Sequence, residues 1–251
     1  MSIRGNPESR PSADGPPGGA SDDASLRAVA ARALDLVVDG TTIGLGTGRA
    51  AAAFIAALGV RVGEGLRIRG VPTSSASAAQ ARTLGIPLVT LDGDVELDLT
   101  VDGADEVAPN LDLVKGWGGA LVHERIVAAA SRRQVILIGA EKLVPALGAR
   151  GRIPVEVIPL ARDFAARRIV ALGLAPTVRT VDGGPLLTEN SNLTLDCAPA
   201  AALADGTVAR RLEASLLAIP GVVDTGLFLG TAERVLVGHA DGRVEVLEAP
   251  R

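Results

Sequence analysis

Short apolar runs that alternate with glycine turns and alanine-rich helical stretches are what most limits the folds open to this chain. Thr41 to Leu45 is an apolar, bounded run of strand character, Gly46 to Gly48 a tight turn, and Arg49 to Leu58 a segment of helical spacing. Further strand-like runs stand at Leu66 to Val71, Leu88 to Leu91, Leu97 to Val101 and Val135 to Ile138, with helical segments between several of them. Strands that alternate with helices are buried on both faces, so the pattern predicts an α/β fold with a layered, Rossmann-like parallel sheet. Ahead of it, Leu26, Val29, Ala30, Ala33, Leu34 and Val37 repeat at helical spacing from Ser25, with Asp22, Asp23 or Ser25 available as caps. Met1 to Ala24 is rich in Pro, Gly, Ser and Asp and has no apolar core of signal-peptide type, so it reads as a disordered tail.

After about Leu147 the rhythm changes. Pro154 to Ile158 reads as strand, Ala161 to Leu172 as helix, Thr177 to Val181 as strand, and Leu186 to Cys197 as a hairpin turning at Asn190, Ser191 and Asn192. A helix at Thr207 to Ala218 and a strand at Val222 to Leu229 follow, an order that fits a small α+β domain of split βαβ, ferredoxin-like type. The expected division is 25–147, joined by about 231–251, and 148–230. Val235 to Gly238 and Val244 to Leu247 either form a terminal hairpin or return the chain to the first domain.

Composition excludes several classes of function. Aromatic residues make up 2% of the chain and tyrosine is absent, which leaves little for stacking on single-stranded nucleic acid. With 25 basic against 29 acidic residues and no dense basic run, the net charge of -4 argues against a nucleic-acid partner. No apolar run is long enough to span a membrane. Cys197 is the only cysteine, which excludes an internal disulfide framework and fits a reducing cytosol. Neither histidine lies in a cluster of zinc spacing.

Candidate chemistry concentrates in residues 100–126, TVDGADEVAPNLDLVKGWGGALVHERI. Asp102 and Asp105 follow one apolar run, Lys115 follows another (Leu111 to Val114), and Gly116, Gly118 and Gly119 lead into a helical segment, Ala120 to Ala130, that carries Glu124. Ligands of α/β folds gather beyond strand C-termini, where Lys142 also stands. The glycines of GLGTGR (Gly44 to Arg49) allow backbone N–H groups to approach an anion at a helix N-terminus, with Thr47 adding a hydroxyl and Arg49 a cation. Plainer readings exist for each. The glycines also serve a bare strand-to-helix turn, or a nucleotide site with Glu64 as its ribose acid. Asp102 and Asp105 also suit turn chemistry, and Glu124, Lys115 and Lys142 suit a solvated surface. His123 reads as a supporting or surface residue and Cys197 as a small core residue.

VDGADEV and KGWGGALVHERIVA resemble the DGADE…KGGG…RE block of the type A ribose-5-phosphate isomerases. GLGTG, VPTSSAS (Val71 to Ser77), PVEVIP (Pro154 to Pro159), TENSNLTLD (Thr188 to Asp196) and IPGVVDTGLF (Ile219 to Phe228) follow the same family's order, so the resemblance covers roughly Leu26 to Glu248. It implies an aldose-ketose isomerase that interconverts ribose 5-phosphate and ribulose 5-phosphate through an enediol, in the non-oxidative pentose phosphate pathway. Under it Glu124 is the base, Asp102 and Asp105 hold sugar hydroxyls and assist ring opening, and Lys115 and Lys142 neutralise phosphate or oxyanion charge. Thr47, Gly48, Arg49, Ala50, Gly103, Ala104, Gly116, Trp117 and Gly118 become substrate-binding positions. The same resemblance implies no metal, no cofactor and a cytoplasmic homodimer or homotetramer; the competing reading is a non-catalytic sugar-phosphate binder on the same fold.

The chain departs from the family's wording at informative places. Arg49 and Ala50 replace the usual Ser-Thr pair of the phosphate loop, and Trp117 takes a glycine position after the lysine, which places an indole at the pocket rim or on the surface. His123 stands for the usual Arg before the base. The family's N-terminal lysine has its nearest counterpart in Arg27.

Overall fold

The computed structural model describes residues 20–93 and 95–249, so the expected tail lies outside the described residues up to residue 19. The chain opens with α1 (Ala20–Leu34), β1 (Thr42–Leu45), α2 (Arg49–Gly63), β2 (Arg69–Pro72), α3 (Ser75–Thr83) and β3 (Leu99–Gly103). Two short strands, β4 (Glu106–Val107) and β5 (Leu113–Val114), precede α4 (Leu121–Ala129) and β6 (Gln134–Gly139). A second series follows: β7 (Ile153–Val157), α5 (Arg162–Ala171), β8 (Leu174–Val178), β9 (Thr180–Val181), β10 (Gly184–Pro185), β11 (Leu193–Pro199), α6 (Gly206–Leu217) and β12 (Val222–Thr225). Three strands complete the chain: β13 (Leu227–Phe228), β14 (Arg234–Gly238) and β15 (Val244–Glu248).

The main sheet has the order β15-β14-β6-β3-β1-β2. Its neighbours from β14 to β2 pair in parallel, and β15 pairs antiparallel at the edge. The C-terminal segment therefore does both things left open by its sequence, forming a hairpin and returning to the first sheet. Successive side chains of a strand face opposite ways. Val135 and Leu137 of β6 join Phe54, Ile55 and Leu58 of α2 and Val29 and Ala33 of α1, whereas Ile136 and Ile138 face Leu113, Leu121 and Phe228. Each of the larger side chains among these contributes roughly 1.5–3 kcal/mol on burial, enough to fix α2 and α4 against opposite faces of the strands whose ends carry the site.

The second sheet has the order β12-β7-β11-β8 with antiparallel neighbours throughout, and α5 and α6 pack with it around Val155, Ile169, Leu195 and Leu216. Its chain order, strand-helix-strand-strand-helix-strand, with the first and third strands central, is ferredoxin-like. A small sheet, β13-β5-β4, stands between the two systems.

Several boundaries differ from those the sequence suggests. Leu88 to Leu91 is not a strand: Leu88 makes one bridge to Gly70, and Val89 and Leu91 instead cover Val71, Leu97 and Val127. Val222 to Leu229 is broken at Gly226, where a side chain's Cβ would lie 2.5 Å from the Lys115 carbonyl oxygen; the strand leaves one sheet there and enters another. The turn at Asn190, Ser191 and Asn192 exists, with Ser191 at φ 61°, but its first arm makes only the Leu187–Leu193 bridge, and Cys197 is buried on β11. Helix α1 begins at Ala20, so the residues expected as its caps lie within it.

Candidate active site

Loops from the C-terminal ends of β1, β3, β5 and β6 meet around a cleft of about 260 Å³. The parallel sheet runs outward in both directions from the β1/β3 junction, the kind of switch point where α/β folds bind ligands. Gly46 permits this junction to close, since a Cβ there would lie 2.1 Å from the Asp102 Oδ1 atom. Gly48, at φ 95°, caps α2 without a side-chain bond and leaves the first-turn N–H groups toward the cleft end of the helix. Thr47 donates its backbone N–H to Asp102 Oδ1 at 3.0 Å, while its hydroxyl joins Thr73, Ser74 and Ser77 beneath the loop. Ser77 in turn donates to the Gly46 carbonyl at 2.5 Å. The Thr47 hydroxyl thus braces the loop, and the VPTSSAS segment supplies the brace.

A buried charge cluster forms part of the cleft lining, with Lys115 and Glu124 in the wall and Asp102 behind it. Lys115 Nζ stands 2.9 Å from Asp102 Oδ2 and 3.1 Å from Glu124 Oε1, and donates to the Gly103 carbonyl at 2.6 Å. Burial alone would push the Lys115 ammonium down, but Asp102 and then Glu124 hold it above the usual lysine range. Glu124 sits in the first turn of α4, 5% exposed, with Oε1 on Lys115 and no partner for Oε2 among the described residues. Loss of hydration pushes its carboxyl up to about 8; Lys115 opposes this and Asp102 and Asp105 add to it. Asp105 is also raised by burial, against the Trp117 N–H that donates to its Oδ2 at 3.0 Å. A carboxylate poised near neutrality beside a fixed ammonium suits reversible proton transfer.

Trp117 forms one wall of the mouth. Its indole N–H donates to the Arg152 carbonyl at 3.2 Å, and the ring is approached by Lys142 (5.5 Å), Arg150 (5.1 Å) and Arg152 (4.8 Å). These distances are within cation–π range. The indole is therefore both a rim of the pocket and a platform for cations, of which Lys142 and Arg150 line the cleft.

The cleft brings together Thr47, Gly48, Arg49, Ala50, Gly103, Ala104, Asp105, Lys115, Gly116, Trp117, Gly118, Glu124 and Lys142. Asp102 is fully buried behind it. The surface alternatives for Lys115 and Glu124 do not hold, because both side chains are buried. Arg27 is exposed and does not line the cleft; Ser25 and Leu26 of α1 do. His123 Nε2 faces Asn190 Oδ1 at 3.0 Å, away from the cleft lining.

Sequence reasoning misses three charged residues that hold the site. Arg125 ties α4 to Asp224, with Nε 2.6 Å from Oδ2, and lies 4.0 Å over the Phe228 ring. Glu106, fully buried, accepts the N–H groups of Gly148 (2.6 Å) and Arg150 (2.7 Å). Arg179, also buried, donates to the carbonyls of Gly116 and Trp117. Arg125 adjoins Glu124 in the HER tripeptide, a local signal of its place but not of its partner Asp224; all three make their bracing contacts with residues far apart in sequence. Among the described residues no group of three or more His, Cys, Asp or Glu side chains is placed to hold a metal ion.

A Rossmann-like sheet with a ferredoxin-like appendage marks the chain as an α/β protein, and a buried Glu–Lys pair beside an open helix N-terminus gives its cleft the chemistry that acid–base work on a small anion needs. The chain belongs to the ribose 5-phosphate isomerase A (phosphoriboisomerase A) family, whose profile matches residues 69–242. A ribose-5-phosphate isomerase A from Roseiflexus sp. (strain RS-1) is 48% identical over 224 residues, 88% of this chain and 94% of its own. The structure of ribose 5-phosphate isomerase A from Methanocaldococcus jannaschii, 40% identical, superposes with a TM-score of 0.84 over 91% of this chain and all of that one. A D-ribose-5-phosphate isomerase solved in complex with phospho-erythronic acid is 36% identical, with a TM-score of 0.84 over 89% of this chain and 97% of its own. The protein is thus an isomerase of this family.

Proposed function

We propose that the chain interconverts D-ribose 5-phosphate and D-ribulose 5-phosphate by proton transfer through an enediol, with Glu124 as the single base. The observation that carries this is the buried Glu124 carboxyl on the cleft wall, with one oxygen on Lys115 and the other unpartnered among the described residues. In the open-chain aldose, Oε2 takes the proton from C2. The C2–H electron pair becomes the C1–C2 double bond, and the C1 carbonyl pair moves to O1, which takes up a proton. In the second half O2–H gives up its proton, the C2–O2 carbonyl forms, and C1 takes the original proton from Glu124.

Lys115 holds the developing negative charge at one edge of this path. Asp102 holds Lys115, Thr47 and Gly103 in place from behind, which makes it a positioning residue, whereas Asp105 in the lining is suited to the sugar hydroxyls and ring opening. The N-terminus of α2, with Gly48, Arg49 and Ala50, takes the phosphate, and Lys142 stands as a second cation. A relative's complex with phospho-erythronic acid supports the reading: the carboxylate of such an acid is planar and anionic, as an enediolate is. No observation favours sugar-phosphate binding without turnover. A ketose-formation assay on ribose 5-phosphate tests the assignment, with steady conversion expected.

Three wider inferences accompany it. Residues 25–147 with about 231–251 form the catalytic domain and 148–230 the smaller one. Exposed apolar side chains at Leu160 (94% exposed), Phe164 and Val170 support a homodimer or homotetramer, which light scattering measures. Among the described residues no helix is long and apolar enough to cross a membrane, and the buried, lone Cys197 fits a reducing cytoplasm.

A further inference from the structure

The smaller sheet reaches the catalytic loop through one buried guanidinium. Arg179 follows β8, and its Nε and Nη2 lie 3.0 and 2.5 Å from the two carboxylate oxygens of Asp196 on β11. The antiparallel register of these strands pairs Asp196 with Thr177 and so brings the carboxylate beside Arg179. The remaining Nη1 donates to two successive carbonyls, those of Gly116 and Trp117, at 2.8 Å each. Asp196 also binds Arg152 Nε at 3.0 Å, and Arg152 both accepts the Trp117 indole N–H and lies against its ring. Although burial would raise the Asp196 carboxyl, Arg179 and Arg152 hold it below the usual range, so it remains an anion.

The consequence follows from the planarity of the peptide bond, in which C=O and the next N–H point in opposite directions. With both carbonyls on Arg179, the N–H groups of Trp117 and Gly118 point away from it. That of Trp117 reaches Asp105 Oδ2 on the cleft wall. That of Gly118, also in the lining, donates to no group among the described residues. Gly116 and Gly119 have φ of 101° and 83°, so the loop needs glycine at both places and has wide conformational freedom unless something outside it restrains the turn.

We propose that Arg179, anchored by Asp196, is a positioning residue for the isomerisation: it fixes the Gly116–Gly118 turn so that the Gly118 N–H is presented to the oxygen that gains charge in the enediol. This rests on the function proposed above. The test uses the full chain with Arg179→Ala and Arg179→Lys, thermal melts to establish folding, and four readouts: turnover of ribose 5-phosphate, affinity for phospho-erythronic acid, affinity for inorganic phosphate, and rescue by added guanidinium. Loss of an aligned oxyanion donor lowers kcat by about 10²-fold. The expected result is such a loss in Arg179→Ala, a parallel loss of affinity for the acid, unchanged phosphate binding and partial recovery with guanidinium. Should Arg179→Ala fail to fold, Arg179→Lys, which keeps an ion pair with Asp196 but cannot span both carbonyls, is held to the same comparison of acid with phosphate. A folded variant with the original kcat, or one that loses acid and phosphate binding equally, overturns the role. An unaltered chain without isomerase activity would refute the proposed function by itself, and the acid-against-phosphate comparison would still decide for or against Arg179.

Discussion

At the scale of single residues, the behaviour of Glu124 follows from competition between dehydration and Lys115. Dehydration wins, because the carboxyl is raised to about 8. As the base must be ionised to take a proton, kcat/KM measured from pH 6 to 9.5 should rise along a limb centred near about 8. A flat profile across that range would remove Glu124 from the role. The same shift has a stability consequence. In the unfolded chain Glu124 titrates near its ordinary 4.5, so between that value and about 8 the folded protein retains a proton that the unfolded one has lost. Stability therefore falls as pH rises through this window. Glu124→Gln removes the dependence, and its melting temperature should exceed that of the parent by a margin that widens from pH 5 to 8; a margin that shrinks over that interval would contradict the burial argument. At Arg49, replacement by alanine should weaken binding of ribose 5-phosphate by about 1.5–3 kcal/mol, the range for hydrogen bonds to a charged group, while leaving unphosphorylated ribose nearly unaffected. Equal calorimetric losses for the two sugars would show that Arg49 is not a phosphate ligand.

At the scale of elements, the strand-turn-helix from β1 to α2 is a close fit that local sequence only half declares. The apolar run, the glycines and the alanine-rich helix are visible in the sequence because hydrophobic spacing and positive φ are local properties. That Gly46 must lack a side chain because Asp102 occupies the space is not visible, since the two residues meet only when β1 and β3 pair. Gly46→Ala should consequently destabilise the fold by about 1–3 kcal/mol or more, the range for overpacking, and should reduce phosphate affinity as the loop is displaced. Parent-like melting and phosphate binding together would show that the junction is looser than the geometry indicates. The same distinction explains other differences from expectation. Asp102 reads from its motif as a substrate ligand, yet its strand carries it behind the cleft. Leu88 to Leu91 is apolar because it covers Val127 and Leu97, not because it pairs. Arg179 and Asp196 are joined by β8–β11 register, which composition does not disclose.

At the scale of the whole molecule, the cleft is lined from the loops of the first sheet, and Trp117 in that lining is also tied toward the second. Its N–H bonds run to Asp105 on the side of the first sheet and to Arg152 at the entry to the second. Because the ring lies in the cleft lining, ribose 5-phosphate should change its emission saturably, with a midpoint matching KM where substrate release outpaces chemistry. Emission indifferent to saturating substrate would place the indole outside the occupied pocket. The fold classes, the loop set and most cleft residues were legible because each lies at a strand end marked by glycine or charge. The bracing of those loops by Arg125, Glu106 and Arg179 was not, because it is made by pairs distant in sequence.

In the proposed reaction one buried carboxylate moves the proton between C2 and C1. This is tested most directly by measuring ketose formation from ribose 5-phosphate with the parent chain and with Glu124→Gln under identical conditions, alongside binding of phospho-erythronic acid. The amide keeps the shape of the side chain but accepts no proton, so the expected result is turnover in the parent, a loss of at least about 10²-fold to 10⁴-fold in the variant, and acid binding retained in both. Near-parental turnover by Glu124→Gln would contradict it.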